Sequence, residues 1–303
     1  MMMRITVAPE WAWWLVWYFF LGGLAAGLYF MAALIELVGS ERDRAMAKVA
    51  YYGAFPLAVV CGMLLILDLG RPERFWHMLI QSETGRPMFK YWSPMSVGAW
   101  ALLVFSGLAF LSFVGVLAED GRMGLGRWRA LAGALRRGPI GKLFALLCAG
   151  VGFFLASYTG VLLAASNQPF WSDTRLLGGL FLASAAATGT ALMLLLRLPS
   201  AAPASLARLQ RVNSWALGLE LLLLIGFVVS LGGLAMPLLQ SSHGRLLIVV
   251  SGLLGLVLPL VLRLVRGAST WATTLSCLLV LIGGFEMRYS ILMVAQHLGV
   301  AGR

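Results

Sequence analysis

The chain has 303 residues, of which 60% are hydrophobic and 12% charged, and its mean hydropathy is +0.89. A soluble domain carries about 25% charged residues, so a water-soluble globular fold is excluded and little sequence remains for a soluble domain. The net charge of +11 does not mark a nucleic-acid binder, because the basic residues sit in short segments between apolar runs and form no continuous stripe.

Runs long enough to cross a bilayer core of about 30 Å as a helix recur along the sequence. They predict eight spans, at about 11–39, 46–69, 94–118, 139–166, 175–198, 209–238, 245–265 and 270–297. The first follows MMMRITVAPE and is too long for the core of a signal peptide, so it is read as a span. It opens on Trp11, Trp13, Trp14, Trp17 and Tyr18, continues through LGGLAAG and carries Glu36 near its far end, beside the charged loop at 41–48. Glu36 is expected to be solvated at the interface.

The second span ends in LDLGRPERFW. Asp68 lies in its last turn, where it is either paired with Arg71 or turned into a site. The connection at 70–93 contains Gly-Arg-Pro twice, at Gly70–Pro72 and Gly85–Pro87. Proline cannot continue a helix and biases its predecessor toward extended geometry, so Arg71 and Arg86 are expected at fixed turns. The same loop carries Glu73, Arg74, Trp76, His77, Tyr91 and Trp92.

The fourth span contains Ser157-Tyr158-Thr159, and a buried tyrosine finds a hydrogen-bond partner. The sixth holds Glu220 in LGLELLLL, with no other charge within eight residues. The eighth holds Glu286 and Arg288. These are two residues apart, about 200° around a helix, so they are expected to face different partners, with Asp68 as a candidate for Arg288. Ionisable groups inside a membrane face cavities or pathways, which makes Glu220, Glu286, Arg288 and Glu36 candidates for proton transfer. The small-residue segments LGGLAAG, LGGLFLA, LGGLAMP and IGG are expected to let helices approach closely.

Eight spans put both termini on one side. The loops of the other side carry 14 Lys and Arg against 8 on the terminus side. That bias predicts the termini, the 70–93 loop and most tryptophans on the outer face. An interfacial aromatic belt accounts for most of the tryptophans. Cys61, Cys148 and Cys277 lie singly within spans and form no CxxC, so they cannot hold an iron–sulfur cluster or zinc. They are expected to be small buried side chains. His77, His243 and His297 lie in loops or at a helix end. None is mid-span, which argues against a haem held between two helices.

LDLGRPERFWHML followed by PMFKYWSPMSVGAWALLVF, then SYTGVLL, SAAATGTAL and GGFEMRYSIL, resemble the NrfD/PsrC family of quinone-interacting membrane subunits, in order across all but the two ends of the sequence. The resemblance implies an all-α polytopic fold of eight transmembrane helices in paired bundles, forming one integral membrane domain without haem, metal or iron–sulfur cluster of its own. It implies a quinone or quinol cofactor, menaquinone or ubiquinone, bound near the face that docks a partner. That partner is a four-cluster ferredoxin-like iron–sulfur subunit, usually joined to a molybdopterin catalytic subunit; some relatives join a multihaem cytochrome c instead. The setting implied is a bacterial cytoplasmic membrane. By position, Tyr158 matches the tyrosine of the YTG motif, a quinone-carbonyl ligand in relatives, and Asp68 the acid of LDLG. Relatives can place Asn and His on the first helix, where this sequence has Leu15 and Tyr18, so Tyr18 is the expected donor there. His77 is the expected second proton exchanger, and Arg71, Glu73, Arg74 and Arg86 the expected docking surface. Two other readings remain open at this point: a secondary transporter, which intramembrane acids and Gly-interrupted helices also suit, and a passive anchor without a working site.

Overall fold

The computed structural model describes residues 13–134, 136, 138–197, 202–266 and 269–298. Trp11 and Arg4 lie outside this range, as does the side chain of His297. Among the described residues, eight helices are long and apolar enough to cross a membrane. They are α1 (Trp13–Val38), α2 (Arg44–Asp68), α3 (Pro94–Glu119), α4 (Gly138–Ala164), α5 (Leu177–Arg197), α6 (Pro203–Ser230), α7 and α8 (Thr270–Leu298). α7 is built of three continuous stretches, Ser242–Leu246, a π-helical Leu247–Val257 and Leu258–Arg266. Among the described residues the only β pairing is an isolated bridge between Ile80 and Pro87.

Local chemistry sets the helix ends. Ser93 caps α3, accepting a hydrogen bond from the Ser96 N–H, and Pro94 occupies the first turn, where its missing N–H costs nothing. α6 departs most from expectation. It starts six residues earlier, at Pro203, because hydropathy discounts Arg208 and Arg211 although neither breaks a helix. It ends at Ser230, because Gly232 takes a φ of +54° and turns the backbone into a short helix at Ala235–Gln240. The LGGLAMP segment is therefore a turn, not a packing face.

α1 to α4 pack as one four-helix bundle and α5 to α8 as a second. Contacts of α5 with α1 and α4, and of α8 with α1, join them. α1, α5 and α8 are the most buried spans and form the shared centre. The closest approach uses LGGLAAG. A Cβ on Gly27 would stand 2.0 Å from the Ala185 carbonyl oxygen, so only glycine admits α5 at this crossing.

The 69–93 connection is shaped as its sequence implies. Arg71 precedes a 3₁₀-helix, Pro72–Met78, with the proline in its first turn. Gly85, at φ +64°, closes a small hairpin in which Gln81 N–H donates to the Arg86 carbonyl and Met88 N–H to that of Leu79. Trp13, Trp14 and Trp17 are exposed, as an interfacial belt requires, and Trp13 stacks on Tyr289 at 5.3 Å. Trp171 is not part of a belt: it is 1% exposed and its indole N–H donates to the Ile291 carbonyl at 2.7 Å. The three cysteines are fully buried.

Candidate functional site

A cavity of about 420 Å³ opens at the Asp68 end of the first bundle. α1 contributes Leu15, Tyr18 and Phe19, α2 Asp68, α3 Gly98, and α4 Tyr158. Phe75, Met78 and Leu79 of the 69–93 connection cover its end. Its walls are otherwise almost wholly apolar, and its volume falls in the range of about 300–1,000 Å³ usual for ligand sites.

Tyr158 is placed by two features of α3. Its hydroxyl donates to the Pro94 carbonyl at 2.6 Å. Its ring lies over Gly98, where a Cβ would come within 2.1 Å of Tyr158 Oη. The phenol's single proton is thus committed to the backbone, and its oxygen lone pairs remain to accept from a ligand. Nothing in the sequence around Gly98 signalled this role, since glycine is frequent in spans.

Tyr18, 6% exposed, makes no hydrogen bond to protein among the described residues, so its hydroxyl is available to the cavity. Asp68, half-buried in the same wall, forms no ion pair with Arg71, which the turn before Pro72 leaves exposed. His77 does not line the cavity; its ring sits edge-on to Trp76 at 3.9 Å. One hydroxyl oxygen as acceptor, a second hydroxyl as donor and one carboxylate, set in an apolar slot, can hold a flat ring bearing oxygens at its edges.

A family model described as Polysulphide reductase, NrfD matches residues 3–301. The chain belongs to the NrfD family. It is 31% identical to the C chain of polysulfide reductase from Wolinella succinogenes over 187 residues, 59% of this protein and 55% of that one. It is 30% identical to the C subunit of selenate reductase from Mesobacillus selenatarsenatis over 102 residues, 33% of this protein and 21% of that one. Protein NrfD of Escherichia coli is 25% identical over 314 residues, covering 94% of this protein and 95% of that one. The matches thus span about half and about a fifth of the first two relatives. As an NrfD-family protein it is an integral membrane protein of the kind found in oxidoreductase complexes.

The intramembrane charges of this NrfD-family protein lie elsewhere. Arg288, 1% exposed, does not meet Asp68. Its Nη1 donates to Ser184 Oγ at 2.9 Å and to the Gly284 carbonyl at 2.8 Å, and its guanidinium lies 5.4 Å from the Phe181 ring centre. The reason is rotation: Arg288 points to the shared centre, where Gly23 of α1 leaves room for it, whereas Asp68 sits on an outer helix of the first bundle. Glu220, 2% exposed, lies within reach of the Arg288 charge. Glu286 accepts from Ser290 at 2.5 Å and from Ser251 at 3.2 Å, with Ser251 presented by the π-helical turn of α7. Glu286 and Arg288 turn to separate partners, as their spacing requires.

Glu36 is not simply solvated. Its carboxylate is 3.7 Å from Arg136, which also meets Glu119 at 3.2 Å and lies over the Tyr51 ring at 5.1 Å. Arg136 returns beneath the bundle ahead of α4 and closes off this acid. Arg263, near the end of the seventh span, is likewise drawn in: it donates to Ser214 Oγ at 3.0 Å and to Asn213 Oδ1. Among the described residues no cluster of His, Cys, Asp and Glu is arranged to hold a metal.

Proposed function

We propose that this protein is the membrane subunit of a respiratory oxidoreductase complex and that the cavity beside Tyr158 binds quinone or quinol. One observation carries the reading: Tyr158, Asp68 and Tyr18, drawn from three helices, meet in one apolar cavity of about 420 Å³. Bound there, menaquinone or ubiquinone supplies a two-electron, two-proton redox couple, and the protein positions and protonates.

Tyr158 Oη, its own proton held by Pro94, accepts a hydrogen bond from a quinol hydroxyl. Tyr18 donates from α1. Asp68 takes or returns protons at the mouth, where the backbone leaves the membrane. On either side of Pro72, the exposed Arg71, Glu73, Arg74 and Arg86 present mixed charge to an iron–sulfur subunit, itself carrying a molybdopterin catalytic subunit. This reading sets the Asp68 end and both termini on the outer side of a bacterial cytoplasmic membrane.

Glu220, Glu286 and Arg288 in the second bundle are its proton-transfer groups, and Glu36 serves the opposite end. Among the described residues, the buried Nε atoms of Arg288 and Arg263 and the Ser276 hydroxyl have no protein partner. Ordered water satisfies such groups, which favours a hydrated relay there. Tyr158→Phe tests the site. Quinol-linked turnover of the isolated complex should fall by about a hundredfold with assembly intact; unchanged turnover sinks the assignment.

A further inference from the structure

α2 and α3 run antiparallel, and the seam between them changes character along its length. Toward the Glu36 end it is fastened. Phe55 meets Phe110 at 5.2 Å and Phe113 at 5.4 Å, and Tyr52 meets Phe113 at 5.8 Å. Tyr52 donates to Asp120 at 2.8 Å, and Lys48 pairs with the same carboxylate at 2.5 Å.

Toward the Asp68 end the seam parts around the cavity. α2 lines it there with Gly62, Leu65 and Ile66, and α3 with Ala99, Leu103 and Ser106. A Cβ added to Gly62 would meet nothing within 4 Å, so the glycine borders open space rather than a packed neighbour. Leu103 is 47% exposed, whereas Phe19 and Tyr158 on the facing wall are 1% and 7% exposed. The cavity is therefore closed by α1 and α4, capped by Phe75, Met78 and Leu79, and open sideways to the hydrocarbon.

A cavity of about 420 Å³ does not take a ring together with a tail of many isoprenoid units. We propose that the tail passes out sideways between α2 and α3, at the level of Gly62 and Ser106, and that this gap is the lateral portal for a polyprenyl quinone. The proposal rests on the quinone reading of the site and adds the route by which the ligand's apolar part reaches the lipid. The portal is apolar throughout except for Ser106, and it is continuous with the ring site.

The test uses the whole complex in liposomes, with two quinols of one ring structure, one bearing a long isoprenoid tail and one a methyl group in its place. The readout is the ratio of kcat/KM for the long-tailed to the short quinol. In Gly62→Trp that ratio should fall by about tenfold or more, and in Gly62→Leu by less, in keeping with the discrimination that a filled apolar slot provides. Ser106→Phe, which blocks the gap from the other wall, should reproduce the fall if either glycine variant fails to assemble. A ratio that stays within about twofold of the parent's, or both quinols losing efficiency in parallel, overturns the portal and leaves the ring site standing. A parent complex that turns over neither quinol overturns the reading of the site and the portal with it.

Discussion

The first bundle keeps its acids at its two ends, whereas the second keeps its own, together with Arg288, in its middle. In α1 to α4, Asp68 stands at one mouth, and Glu36, Glu119, Arg44, Lys48 and Arg136 are knit together at the other, with Arg44 and Glu119 2.7 Å apart. In α5 to α8, Glu220, Glu286 and Arg288 are sealed among helices at 2%, 8% and 1% exposure. The two halves share one apolar vocabulary, yet the first leaves a cavity at one end, while the second spends its polar groups on each other. A ligand site needs unspent hydrogen-bonding capacity, which Tyr18 and Asp68 retain. A buried charge needs the reverse, because an unpaired ion in a dry interior is strongly unfavourable.

Breaking the second bundle should have the largest effect. Arg288→Met leaves Ser184 and Glu220 without the guanidinium, and losing one member of a buried charged set costs about 3–5 kcal/mol. The expected result is loss of the folded subunit from detergent-solubilised membranes, read by size-exclusion yield; a normal yield would show that the centre tolerates the acid alone. Gly98→Ala acts on the first bundle only. Its methyl occupies the place of the Tyr158 hydroxyl, so quinol turnover should fall by at least about tenfold with yield retained. Glu220→Gln separates the two halves functionally. Electron transfer to quinone should persist, while proton movement across vesicles, followed by a pH-sensitive dye, should disappear; continued proton movement would remove Glu220 from the route.

The smallest effect is expected at Asp120. Burial opposes its ionised form, but the hydrogen bonds from Lys48 and Tyr52, together with the Lys48 charge, outweigh it and hold the carboxyl below the ordinary aspartate range. A depressed folded-state pKa contributes stability that is complete above the unfolded value of about 4 and is lost as pH falls through the folded one. Asp120→Asn should therefore lower stability at neutral pH by no more than about 1 kcal/mol for a partly exposed pair, read as a small drop in the thermal midpoint. The difference from the parent should close in acid, and a difference that widens there would contradict the pairing.

The eight spans were legible because each is a long apolar run bounded by charge or proline. The meeting of Asp68 with Tyr158 was foreshadowed by their common depth. What was not legible depended on rotation about helix axes. In sequence Arg288 and Asp68 both fall toward the same side of the membrane, yet one points to the shared centre and the other to an outer wall. Gly98 gave no signal, because its role is the space it leaves for a side chain 60 residues away. His77 was adjacent in sequence to residues that cover the cavity, but the 3₁₀ turn carries its ring against Trp76 instead. Arg136 was counted as a loop cation, because hydropathy cannot show a loop returning beneath a bundle.

The bond from Tyr158 to the Pro94 carbonyl has a thermodynamic consequence on the proposed reading. A hydroxyl whose proton is already engaged discriminates between the two oxidation states of one ligand. A reduced ring brings a proton that Tyr158 Oη can accept, while an oxidised ring brings a second lone pair to a place that already has one. The site is then biased toward the reduced form, and preferential binding of one form displaces the midpoint potential of the bound couple in that form's favour. By fixing a phenol with one backbone carbonyl and leaving a glycine beneath it, the fold sets an energy level as well as a shape.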